Sequence, residues 1–155
     1  MGQQQLLLVI LVTIIVGIAT VVAINIFGQA ADQANRDAVR QDLMAASVQA
    51  QAVWARPAMM NGAGRDFTSL TPSTLLLQRL GIPGEYVEGD SQIQNENGTY
   101  TISGVEAEGL TLTGTPASGD QVIQAVLSRD DNNNWQVAIT DQDGTVESGD
   151  ANGGG

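Results

Sequence analysis

The stretch LLLVILVTIIVGIATVVAI, residues 6–24, decides what this chain can be. It carries no charge, and only Thr13, Gly17 and Thr20 interrupt its Leu, Val, Ile and Ala residues. At the helical rise the run spans roughly 28 Å, which is about the hydrocarbon thickness of a bilayer. The sequence therefore predicts a helix that lies in a lipid bilayer or in equally apolar surroundings.

The helical pattern continues beyond this run, but its character changes. Residues 29–56 are mostly helix-compatible, and their apolar side chains recur at three- and four-residue steps. Pro57 is the first barrier to a helix. We therefore expect one helix over residues 3–55, roughly 80 Å long. Its second, amphipathic half is expected to pack on another layer through Val39, Leu43, Ala46, Val53 and Trp54.

Residues 57–144 read as one small globular domain, preceded by the helix of residues 1–56 and followed by a tail, 145–155, that we expect to be mobile. Residues 61–64 predict a flexible break, and residues 74–80 a short helix. Alternating apolar residues predict strands at 99–103, 110–113, 122–128 and 135–140, with turns between them. Three or four strands so linked form an antiparallel meander, which the amphipathic half of the helix would cover. The predicted fold class is α+β.

Composition excludes several function classes. Seventeen acidic residues against six arginines give a net charge of −11, which argues against nucleic-acid binding because that needs a basic patch. Cysteine and histidine are absent, so disulfides, thiolate chemistry and the commonest general base and metal ligand are absent as well. We expect no enzyme activity, no cofactor and no metal site.

The succession of an apolar helix, an amphipathic helix and an antiparallel sheet resembles type IV pilins and pseudopilins. Within the helix, NRDAVRQDL (residues 35–43) and the following Ala45-Ala46-Ser47 are similar to the part of such subunits beyond the membrane. The resemblance implies a filament subunit that waits in the inner membrane and is polymerised by a pilus assembly machinery with a cytoplasmic ATPase. Its helices would bundle with other copies of the chain in the filament core, and its sheet domains would form the outer shell at the cell surface.

The chain also departs from that family's pattern. The family usually has a glutamate at the fifth mature position, where this chain has Gln5, or Leu7 if processing follows Gly2. The mid-helix proline, the loop disulfide and a basic leader peptide are not found, and the leader is expected to be either removed or vestigial. The residues to which the resemblance gives a role in the filament core are Gln3, Gln4, Gln5, Leu6, Leu8, Ile10, Val12, Ile15, Gly17, Val21, Ile24 and Asn25.

Some of these residues have two readings. Residues 3–5 either join neighbouring helices through amide hydrogen bonds in a dry core or form a polar cap on a membrane span. Asn25 either bonds between subunits or marks the membrane surface. Trp54 and Trp135 are expected in the helix–sheet interface, although an exposed Trp135 would suggest adhesion.

A second function remains open from the sequence. The chain could be a single-span envelope protein whose acidic domain binds a partner. Arg36 and Arg40 follow the span, and the positive-inside rule then favours a cytoplasmic C-terminus, opposite to a pilin. The continuous amphipathic extension favours the filament reading, because a simple anchor does not require it.

The loops contain patterns that also fit binding sites. Asn97-Gly98-Thr99 matches the glycan acceptor pattern, but Asn-Gly is also a strong hairpin signal. The acids of residues 141–150 and of 130–134 could hold a cation, but they do not match a calcium loop, so solvated turns are the preferred interpretation.

Overall fold

The computed structural model describes residues 2–87, 91–119 and 121–142. It has the predicted α+β fold, a long N-terminal helix followed by a six-stranded antiparallel sheet. The helices are α1 (Gly2–Ala55) and α2 (Ser73–Arg79), with 3₁₀ turns at Ala58–Met60 and Phe67–Ser69. The strands are β1 (Glu85–Val87), β2 (Gln92–Gln94), β3 (Gly98–Glu106), β4 (Gly109–Pro116), β5 (Val122–Arg129) and β6 (Trp135–Gln142).

The chain separates into two compact units, residues 1–34 and residues 35–155. In the first unit the described residues belong to α1, whose side chains from residue 2 to residue 31 are all exposed. In the second unit the remainder of α1 covers one face of the sheet. There it buries Val39, Leu43, Ala46, Ala50, Val53 and Trp54.

The sheet is a meander in which each strand pairs with the next one in the sequence. Its core face contributes side chains from four strands to the interior, among them Tyr100, Leu112, Ile123 and Leu127, all fully buried. Serine is compatible with this core at residue 47, because the buried Ser47 hydroxyl donates to the Leu43 carbonyl, 2.8 Å away. The helix–sheet interface is therefore apolar, and its buried serine has a hydrogen-bond partner.

The close approach of α1 to the sheet depends on a glycine in β4. A Cβ atom placed on Gly114 would lie 2.6 Å from Val39 Cγ1 and 3.2 Å from Leu43 Cδ1. Both of these side chains are fully buried and have little room to move. Gly114 therefore lets the helix pack directly against the middle of the sheet.

The strand prediction needs two corrections. The sheet has six strands rather than three or four, because β1 and β2 are three residues long, too short to show alternation. The turn expected over residues 104–109 is also wrong, since β3 continues to Glu106. A register shift between Ile102 and Gly104 hides this continuation, because a bulge interrupts the period of two.

The flexible break expected at residues 61–64 is instead a tight turn bonded to the end of α1. The Ala63 amide donates to the Val53 carbonyl and the Arg65 amide to the Trp54 carbonyl, each at 2.8 Å. These are carbonyls of the last helical turn, which otherwise lack partners. The turn thus caps α1 and starts the chain back along the sheet.

Candidate assembly surface

The largest exposed apolar surface lies on the first unit. Sixteen large apolar side chains between residues 6 and 27 have exposed fractions from 47% to 76%. We call this set the apolar helix surface: Leu6, Leu7, Leu8, Val9, Ile10, Leu11, Val12, Ile14, Ile15, Val16, Ile18, Val21, Val22, Ile24, Ile26 and Phe27. A soluble monomer rarely exposes a contiguous patch of this size, so this surface requires lipid or protein around it.

Among the described residues, α1 is the helix long and apolar enough to cross a membrane, by length and composition. The two hydroxyl side chains of its apolar run, residues 6–24, form hydrogen bonds within the helix itself. The Thr13 hydroxyl donates to the Val9 carbonyl at 2.7 Å, and the Thr20 hydroxyl to the Val16 carbonyl at 2.8 Å. The polar groups of this segment are thus compatible with apolar surroundings.

The residues predicted for the filament core all lie on this exposed part of α1. Gln3, Gln4 and Gln5 point in different directions around the helix, since successive residues turn by about 100°. A Cβ atom added at Gly17 would meet nothing within 4 Å. Nothing in the described chain therefore requires glycine there, and its missing side chain leaves room for the backbone of another molecule.

The second unit holds its part of α1 by a polar cluster that sequence reasoning missed. One carboxylate oxygen of Asp42 accepts three hydrogen bonds, from the Tyr100 hydroxyl at 2.6 Å and from the side-chain amides of Asn97 and Asn95 at 3.0 and 3.2 Å. Burial of Tyr100, reinforced by its hydrogen bond to Asp42, raises the pKa of the phenol above its ordinary value. The cluster fastens α1 to the start of β3.

Further polar contacts surround this cluster. The Asn35 side chain donates to the Asn97 carbonyl at 2.8 Å and accepts from the Ser118 amide at 3.1 Å. Arg40 pairs with Asp37 at 2.8 Å and also with Asp141 at the end of β6. The hydrogen bond to Asp141 is the main cause that raises the pKa of the Arg40 guanidinium. Both flanks of the helix are therefore joined to the sheet.

The far end of α1 is held by aromatic contacts. The Trp54 indole donates to the Ala107 carbonyl at 3.0 Å, and its ring meets that of Trp135 edge-on, with centroids 5.2 Å apart. The guanidinium of Arg129 lies 4.6 Å from the Trp54 ring centroid and pairs with Glu108 at 3.0 Å. Trp54 is buried and Trp135 partly buried against the core, which places both in the helix–sheet interface.

The predicted loop sites are engaged in local structure. Asn97 lies in the turn into β3, and its side-chain nitrogen, the atom that a glycan would use, donates to Asp42. The carboxylate of Asp130 accepts from the Asn132 and Asn134 amides at 2.9 and 2.8 Å, which closes the β5–β6 turn. These backbone hydrogen bonds, first that of Asn134, lower the pKa of Asp130.

The structure also bears on the cation hypotheses. Among residues 2–87, 91–119 and 121–142, no group of three or more acidic side chains is arranged to hold a metal ion. Asp141 is paired with Arg40, and the rest of the acidic stretch at 143–150, like the tail at 145–155, lies outside the described residues.

No protein-family model, curated protein or solved structure matches this chain. A functional conclusion therefore depends on the arrangement of the molecule itself.

Proposed function

We propose that this chain is a structural subunit of an extracellular, type IV pilus-like helical filament, assembled through its apolar N-terminal helix. The observation that supports this most is the contrast between the two parts of one uninterrupted helix. Residues 6–27 of α1 expose apolar side chains on all sides, whereas its part in the second unit buries one face on a sheet. A membrane anchor needs the first part alone, while a filament subunit needs the second part to carry its outer domain.

The energetics of such a polymer follow from the exposed surface. Inside a bilayer, lipid tails already cover the apolar helix surface, so helices associate through close packing and a few polar bonds. Outside the membrane the same surface would face water, at roughly 25 cal/mol for each Å² of apolar area. The helix can therefore leave the membrane without exposing this surface to water when neighbouring copies replace the lipid. The open space at Gly17 suits such close packing.

The polar residues near the N-terminus would then act by hydrogen bonding. If Met1 is the mature start, Gln5 stands where type IV pilins usually have a glutamate, and its amide can form hydrogen bonds but no ion pair. We expect residues 3–5 to donate and accept between neighbouring helices in the dry core, where an unpaired amide is costly. The chain would wait in the inner membrane and reach the cell surface through a pilus assembly machinery.

The first experiment is electron microscopy of material sheared from cells that produce the full chain, with mass spectrometry of its N-terminus. We expect thin filaments that contain this chain with residues 6–27 intact. If the chain instead stays in the membrane fraction as a monomer and no filament contains it, the filament proposal fails. The anchored partner-binding protein then becomes the working model.

A further inference from the structure

Among the residues that the structure describes, the methionines all lie outside the core. Met44, Met59 and Met60 have exposed fractions of 48%, 98% and 68%, and none of them belongs to the buried cluster between the helices and the sheet. Methionine is usually a core residue, because its flexible thioether fills irregular apolar gaps. In this chain the thioethers are instead open to reagents dissolved in water.

Met59 and Met60 are neighbours in the 3₁₀ turn that follows α1, and the backbone holds this turn in place. The Met60 amide donates to the Pro57 carbonyl at 2.9 Å, and the Asn61 amide donates to the Ala58 carbonyl at 3.1 Å. None of the residues of the turn is buried. The two methionine side chains thus add little packing to the fold, and a change in their polarity would disturb no core contact.

The sulfur chemistry of the sequence is confined to thioethers. The sequence contains four methionines and no cysteine, so no thiol competes for a mild oxidant. Hydrogen peroxide transfers one oxygen atom to a thioether: the S–O bond forms, the O–O bond breaks, and the departing oxygen keeps both protons as water. The sulfoxide that results is polar and uncharged. On an exposed side chain this group stays hydrated, so its formation carries no desolvation cost.

We propose that Met59 and Met60 form a site of reversible oxidation, at which peroxides convert both thioethers to sulfoxides while the fold stays intact. Reversal is a separate reaction, in which a sulfoxide reductase oxidises two thiols to a disulfide and releases the oxygen as water. One cycle consumes one peroxide per methionine and switches the turn between an apolar and a polar surface at constant charge. The site does not depend on filament formation, because it requires only the exposure of these side chains in the single chain.

Met44 provides a comparison within the same chain. It lies on α1 beside the fully buried Leu43, and about half of its side chain is covered. Susceptibility to oxidation follows exposure, so the Met44 thioether should react more slowly than the other two. A difference between these rates therefore reports the protection that the fold gives.

The test treats the full chain in non-ionic detergent with hydrogen peroxide. Cleavage after arginine yields a peptide of residues 41–65, which contains all three methionines and stays uncut at Arg56 because proline follows. Tandem mass spectrometry of this peptide assigns each sulfoxide over time. The same treatment in urea gives the rates without protection by the fold. The double variant Met59→Leu, Met60→Leu removes the site, and Met44→Leu is the matched control.

We expect Met59 and Met60 to be oxidised several-fold faster than Met44 in the folded chain, and all three at equal rates in urea. The double variant should lose the fast reaction, which Met44→Leu retains. The chain with sulfoxides at residues 59 and 60 should melt at the temperature of the unmodified chain. A methionine sulfoxide reductase with a thiol reductant should restore both thioethers.

Three results would each overturn this inference: equal rates for the three methionines in the folded chain, a lower melting temperature caused by the sulfoxides at residues 59 and 60, or sulfoxides that the reductase leaves in place. None of them bears on the proposed function, because filament formation is measured separately by electron microscopy of sheared material.

Discussion

At Gly114 the backbone of β4 lies so close to α1 that a single methyl group would be in conflict with its neighbours. The Cβ atom of Gly114→Ala would come 2.6 Å from Val39 Cγ1. Since Val39 and Leu43 are fully buried, the helix itself must shift. We expect a loss of about 1–3 kcal/mol in the free energy of unfolding.

Thermal unfolding in non-ionic detergent, followed by the fluorescence of Trp54 and Trp135, measures this loss. Gly104→Ala is the control, because a Cβ atom there meets only the Thr111 side chain, at 3.4 Å and beyond. We expect the control to unfold close to the wild-type temperature. Equal midpoints for the two variants would show that α1 does not pack on β4 as tightly as described.

The Tyr100 phenol gives the fold a dependence on alkaline pH. Its pKa is raised above the ordinary value of 10.0, first by burial and then by the hydrogen bond to Asp42. The folded state thus disfavours the phenolate, so this contribution to stability is complete below pH 10 and is lost as the pH rises above it. We expect the melting temperature to fall from about pH 10 upward, and to fall less in Tyr100→Phe.

A series of melting curves between pH 8 and pH 11 on both proteins checks this expectation. The variant should melt lower at pH 8, because it loses the hydrogen bond to Asp42 and leaves that carboxylate with fewer donors. Its curve should then approach that of the wild type at high pH. Parallel curves would mean that Tyr100 ionises as freely in the folded state as in the unfolded one.

The Asp42 cluster also shows where sequence reasoning stops at the scale of residues. Asp42 and Tyr100 are 58 residues apart, and no spacing rule connects an exposed-looking helix acid with a strand tyrosine. The buried face of α1 could be predicted from the sequence, because helical periodicity places Val39, Leu43 and Ala46 together. Polar contacts between distant segments carry no such local signal and need the fold first.

At the scale of elements, some strands have a local sequence signal that predicts them, and others do not. Most residues of β4, β5 and β6 alternate between less and more exposed positions, so their pattern predicts these strands. β1 and β2 each have one central apolar residue, Tyr86 and Ile93; β1 pairs with β2, and β2 pairs with β3. Tertiary pairing rather than propensity makes these two segments strands.

The apolar part of α1 tolerates no charge in the proposed filament or in its membrane precursor. Val16 lies in the middle of the run, and its side chain is 58% exposed in the single chain. An aspartate there would cost about 2.5–3.5 kcal/mol at mid-membrane and would meet an equally dry environment in a helix bundle. We expect Val16→Asp to abolish membrane insertion or filament formation.

Fractionation of cells measures membrane insertion, and electron microscopy of the sheared surface material measures filament formation. Asn132→Asp is the matched control, because it adds the same charge to an exposed turn of the sheet domain. It should insert and assemble normally. A normal yield of Val16→Asp filaments would mean that Val16 contacts water and does not lie in the proposed core.

At the scale of the whole molecule, the net charge destabilises the fold, and the burial of apolar side chains stabilises it. Seventeen acidic residues and six arginines leave a net charge of −11. The excess acidic side chains repel one another within one chain and between copies. Among the described residues, three ion pairs oppose this repulsion: Arg40 with Asp37 and with Asp141, and Arg129 with Glu108. Pairs as exposed as these are each worth about 0–1 kcal/mol.

Salt should therefore stabilise the chain, because it screens many repulsive interactions and few attractive ones. Between about 0.01 M and 0.15 M ionic strength, the screening length falls from about 30 Å to about 8 Å, which is shorter than most distances across the domain. We expect the melting temperature in non-ionic detergent to rise by a few degrees over this range. Arg40→Gln removes two of the attractive pairs, so its midpoint should rise with salt at least as steeply as that of the wild type. A midpoint that falls with salt would mean that the ion pairs outweigh the net repulsion, and the acidic surface would then stabilise the single chain.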